Sequence, residues 1–112
     1  ARLIQIIDGE TGPSTLFNDG GGAGVRTSST HYCADSQHDA SEVANRIDAL
    51  LGLPRAQAET LQGQRYRTGE QYRHHCDFFR TERAHWQRER LRGGQRSWTA
   101  MVYLNEPDAG GA

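Results

Sequence analysis

The sequence predicts a mainly β fold with a flanking α-helix, and three observations carry that reading. From Glu59 onward the side-chain period is two, so that Gln62, Gln64 and Tyr66 would share one strand face. Trp98 to Leu104 alternates Thr99, Met101 and Tyr103 on one face with Trp98, Ala100, Val102 and Leu104 on the other, the pattern of a buried strand. The clearest helix runs from about Asp39 to Leu51, with Val43, Ile47, Leu50 and Leu51 at helical spacing. Its single apolar stripe is expected to pack on a sheet.

The chain has 112 residues, enough for one domain, read here as 1–112. Apolar content of 35% and a mean hydropathy of −0.82 fit a soluble globular domain with a modest core. No apolar run approaches the roughly 20 residues of a spanning helix, and no signal segment follows Ala1, so no membrane partner is expected. Cys33 and Cys76 lie far apart without a C-x-x-C, which suits neither a disulfide framework nor a zinc knuckle. That usage fits a reducing compartment, and cytoplasmic localisation is the expectation.

Net charge is −1, so no global field attracts polyanions. All 13 basic residues are arginines. Arg80, Arg83, Arg88, Arg90, Arg92 and Arg96 fall in one stretch, interleaved with Glu82, Glu89 and Trp86. A basic stretch beside an aromatic can bind nucleic acid, but this composition reads first as a solvated, salt-bridged loop or helix face. No nucleic-acid partner is expected.

Along the chain, Leu3–Ile7 is too short for periodicity to choose between strand and helix end. The glycine-rich stretch from Gly9 to Gly24 lacks the order and context of a phosphate-binding loop. Val25 to Thr30 is β-prone. The 39–51 helix can be capped by Asp39 or Ser41 and is stopped by Gly52 and Pro54. Thr68-Gly69 marks a turn, Gln71 to Phe79 reads as the next strand, and Arg80 to Arg96 as a loop with some helix.

The richest chemistry lies in Tyr72-Arg73-His74-His75-Cys76-Asp77. On a strand, His75 and Asp77 share a face with alpha carbons roughly 7 Å apart, and both can lean toward one metal ion. His74 and Cys76 share the opposite face. An imidazole and a carboxylate, with one further histidine, make the facial triad of non-haem iron oxygenases. H-x-D alone is a weak signal, and its bland reading is an exposed polar strand end.

Context sharpens it. Gln62 to Phe79 closely resembles the first metal-binding strands of the prolyl 4-hydroxylase family, whose pattern runs Q-x-x-x-Y-x-x-G-Q-x-Y-x-x-H-x-D-x-F. Val25-Arg26-Thr27-Ser28-Ser29 is similar to its V-R-T-S segment, and Gly93-Gly94-Gln95-Arg96 to its G-G-Q-R turn. Met101-Val102-Tyr103-Leu104-Asn105 with Gly110-Gly111 resembles its M-Y-L-N…G-G strand and exit. The matches come in the family's order across residues 25–111.

The resemblance implies a double-stranded β-helix, or jelly roll, incomplete in this chain. It implies an Fe(II)- and 2-oxoglutarate-dependent dioxygenase, with ascorbate as reductant, that hydroxylates prolyl residues of a peptide or protein. His75 and Asp77 match the iron ligands, and Tyr66 and Tyr103 match tyrosines that hydrogen-bond 2-oxoglutarate. Arg96, Arg26 and Ser28 match positions near the peptide substrate. Each tyrosine would otherwise read as a core aromatic with a satisfied hydroxyl. The family's second histidine ligand and its 2-oxoglutarate-binding lysine find no counterpart before Ala112. The chain is therefore expected to be an N-terminal part of the catalytic domain, inactive alone. The alternative is a truncated or degenerate β-domain acting as a binding module. Substrate identity and oligomeric state are not legible.

Overall fold

The computed structural model describes residues 2–14, 26–34 and 37–110. The glycine stretch 18–24, Val25 and Gly111, singled out above, lie outside the described residues. Three short strands and three helices make up the regular structure: α1 (Arg2–Gly9), β1 (Gly12–Pro13), β2 (Ser29–Tyr32), α2 (His38–Leu51), β3 (Gln62–Arg65) and α3 (Trp86–Arg92), with a 3-10 turn at Arg55–Gln57. The strands form one antiparallel sheet in the order β1-β2-β3. In β2 and β3, His31 pairs with Gly63 and Tyr32 with Gln62.

Leu3–Ile7, which periodicity left open, is helical. α1 packs on β3 and on α2. Gly63 makes the first contact possible: a Cβ there would overlap Ile7 Cγ1. The bare glycine backbone lets the buried Ile7 side chain lie directly on β3.

α2 spans the expected residues, and of its expected apolar stripe Val43, Ile47 and Leu51 are half-buried. Ala40 and Ala44 are buried, whereas Leu50 is 83% exposed. α2 packs against α1, with Arg2 Nε 2.9 Å from Asp39 Oδ2 across the contact. The residue that caps the helix is Gln37, with no side-chain bond; Ser41 Oγ instead donates to the His38 carbonyl at 2.8 Å. Gly52 ends α2 at φ 66°, its N–H donating to the Asp48 carbonyl at 2.9 Å, as a left-handed glycine cap does.

Two expected strands do not form. The stretch 71–79 pairs only at its start, in an isolated bridge outside the sheet, where Tyr72 lies opposite Arg26 and Thr27 N–H donates to the Gln71 carbonyl at 2.9 Å. Trp98 to Leu104 is irregular and exposed, with Trp98 at 69% and Tyr103 at 70%. Alternation states which faces could be buried, but a strand also needs a neighbour for its backbone groups. None of the described strands lies beside this one. The described residues thus form a mixed three-helix, three-strand unit. No described helix is long and apolar enough to cross a membrane.

Candidate functional site

The candidate site is built on the irregular stretch after Tyr72, held by contacts from distant parts of the chain. The ring of Tyr72 stacks on that of His75, with centroids 3.5 Å apart and planes inclined by 15°. The Arg26 guanidinium lies 4.7 Å from the Tyr72 ring centroid. Arg26 is in turn fixed by donating from Nε to Ser28 Oγ at 3.0 Å and from Nη2 to Thr30 Oγ1 at 3.1 Å. Ser14 Oγ meets both hydroxyls, at 2.8 Å and 2.7 Å. Burial pushes the Tyr72 phenol above its ordinary value, with the Arg26 charge opposing.

His75 and Asp77 come together without a strand. His75 Nε2 stands 3.1 Å from Asp77 Oδ1. His75 Nδ1 lies 2.7 Å from the Arg73 carbonyl; a carbonyl only accepts, so Nδ1 carries a hydrogen. Nε2 of the neutral ring then presents a lone pair to a carboxylate oxygen. Two lone pairs that close call for a proton or a cation between them. Two donors about 2.1 Å from one ion and at right angles stand about 3.0 Å apart, so this spacing fits a shared metal. A ring N–H bonded to a backbone carbonyl is also the usual support of a metal-binding imidazole.

The other carboxylate oxygen, Oδ2, accepts from Thr99 Oγ1 at 2.8 Å. The backbone that carries Asp77 is braced on its far side. Arg96 Nη1 donates to the Asp77 carbonyl at 3.1 Å. The same guanidinium makes a two-point ion pair with Glu59, through Nε to Oε1 and through Nη2 to Oε2 at 2.6 Å. Its carbon lies 4.3 Å from the Phe79 ring centroid. The bond to Glu59 raises the Arg96 pKa further above its ordinary value, keeping it charged. Gln95 clamps Phe79 on both backbone groups, accepting from its N–H at 2.6 Å and donating to its carbonyl at 2.8 Å.

The remaining residues named from sequence are less tightly gathered. Tyr66 is 44% exposed, and its hydroxyl donates to Gln64 Oε1 at 3.0 Å. Tyr103 lies on the exposed 98–104 stretch. His31, buried on β2, donates from Nδ1 to the Glu10 carbonyl, 3.3 Å away. Among the described residues no three His, Cys, Asp or Glu side chains form a metal-holding group. Glu59, Gln95 and Thr99 were not singled out from the sequence. Gln95 alone had a signal, inside the Gly93-Gly94-Gln95-Arg96 segment.

Comparison with known proteins bears on this arrangement. The chain is 33% identical over 109 residues to a probable prolyl 4-hydroxylase 8 of Arabidopsis thaliana, a match covering 96% of this chain and 33% of the relative. It is 32% identical over 107 residues to a probable prolyl 4-hydroxylase 10 and to prolyl 4-hydroxylase 5 of the same plant, each match covering 95% of this chain and 33% of the relative. The similarity is to prolyl 4-hydroxylases, and it covers nearly the whole chain. The chain spans about a third of the length of the curated relatives it matches. No family model and no solved structure matches it.

Proposed function

We propose that this chain is part of a prolyl 4-hydroxylase catalytic domain of the jelly-roll type, an Fe(II)- and 2-oxoglutarate-dependent dioxygenase with ascorbate as reductant. The observation that carries the reading is the His75–Asp77 pair, with His75 Nε2 and Asp77 Oδ1 at 3.1 Å. Similarity to plant prolyl 4-hydroxylases along the chain supports it. His75 would hold the metal through Nε2, its Nδ1–H tied to the Arg73 carbonyl, and Asp77 would hold it through Oδ1. When bound, Fe(II) with 2-oxoglutarate and dioxygen supplies the oxidising chemistry that hydroxylates a prolyl carbon and yields succinate.

The chain's own residues then bind and orient. Tyr72, stacked on His75, sets the tilt of the imidazole ring. Tyr66 and Tyr103 are the phenols available to donate to 2-oxoglutarate. Arg26, spread over Tyr72 and held by Ser28 and Thr30, would donate to a peptide carbonyl. Arg96 is assigned to the peptide side as well; its bonds to Glu59 and to the Asp77 carbonyl also make it a brace of the ligand backbone. A prolyl-containing peptide or protein is the proposed partner, and the cytoplasm the proposed location.

The test is succinate release with Fe(II), ascorbate, 2-oxoglutarate and a proline-rich peptide. The 112-residue chain is expected to stay at background, because two protein donors hold iron loosely. A chain extended to the length of the plant relatives is expected to turn over and to lose activity on His75→Ala. Turnover by the short chain, abolished by His75→Ala, would mean that another histidine such as His31, His38 or His85 completes the site.

A further inference from the structure

Gln95 and Arg96 anchor the backbone from Asp77 to Phe79, through the Phe79 N–H and carbonyl and the Asp77 carbonyl. What this bracing leaves loose is the rotation of the Asp77 carboxylate about its terminal bond. That rotation decides which oxygen faces His75, and whether one or both could reach an ion. Thr99, distant in sequence and on an otherwise exposed stretch, bonds Oδ2 at 2.8 Å while Oδ1 faces His75 Nε2 at 3.1 Å.

We propose that Thr99 is a positioning residue that holds the Asp77 carboxylate with Oδ1 toward the metal position it would share with His75; this rests on the reading of His75 and Asp77 as a metal pair. An O–H donated to Oδ2 opposes rotation of the carboxylate and so keeps Oδ1 turned toward His75 Nε2. Thr99 is solvent-exposed, and a single hydrogen bond between exposed side chains contributes little to folding stability. Its removal therefore acts on the metal and leaves the fold intact.

The experiment titrates the chain with Mn(II) alone, read by water-proton relaxation, for wild type, Thr99→Val, Thr99→Ser, His75→Ala and Asp77→Ala. Thr99→Val, which keeps the shape and removes the donor, is expected to weaken Mn(II) binding about tenfold or more. Thr99→Ser is expected to restore it, and the metal-free melting temperatures to coincide. Thr99→Ala serves as a second donor-free variant should the valine disturb folding. Thr99→Val binding like wild type, while His75→Ala and Asp77→Ala lose binding, would overturn the role of Thr99 and leave the metal pair standing. A fall in melting temperature that Thr99→Ser shares would overturn it in favour of a structural role. Unchanged binding in His75→Ala and Asp77→Ala would remove the metal pair itself, and this inference with it.

Discussion

Arg96 and Glu59, 37 residues apart in sequence, meet in a two-point ion pair, and the same guanidinium carries the carbonyl of Asp77. Both side chains are partly buried, at 25% and 33% exposure. A planar fork matches a carboxylate in a way an ammonium does not. Arg96→Lys is therefore expected to cost about 1–3 kcal/mol in denaturant titration, and Glu59→Gln a similar amount. In a double-mutant cycle the two losses should not add, because they break one interaction. Additive losses would show that the pair is not a unit.

Gly63 sits under Ile7, where an added Cβ finds no room. Gly63→Ala is expected to destabilise by about 1–3 kcal/mol, as overpacking does. Gly12→Ala, with nothing within 4 Å of the added carbon, is expected to be close to neutral. Shortening Ile7 to Ala should make Gly63→Ala harmless in that background. A cost that persists there would place the strain elsewhere.

Cys33 is buried and Cys76 exposed. Burial raises the Cys33 thiol above its ordinary value, against a backbone hydrogen bond that lowers it. Alkylation of the native chain at mildly alkaline pH is expected to label Cys76 alone, with Cys33 reacting only after unfolding. Because the folded value lies above the unfolded one, the stabilising contribution is complete below the ordinary thiol range. It declines as pH rises through that range toward the folded value. Equal labelling of both cysteines in the native chain would show Cys33 to be accessible.

Much of this organisation was legible in the sequence, and the rest fails for identifiable reasons. α2 and its glycine stop follow from capping and periodicity. On its buried face, Ala40 and Ala44 were passed over because alanines weigh little beside Val43, Ile47, Leu50 and Leu51 in hydrophobicity, and Leu50 is exposed. The alternation of Trp98 to Leu104 was real as a pattern but specifies no neighbour. In the site, His75 and Asp77 could be named because their spacing is local. Glu59, Gln95 and Thr99 reach their partners from 37, 16 and 22 residues away, and separations like these leave no local signal.

The most direct test of the metal pair is a residue-resolved one. Substoichiometric Mn(II) added to the isotope-labelled chain should broaden the ring resonances of His75 first in the NMR spectrum, ahead of those of His31, His38 and His85. The effect should vanish in Asp77→Ala. Broadening that begins at another histidine, or that survives Asp77→Ala unchanged, would contradict a metal site built on His75 and Asp77.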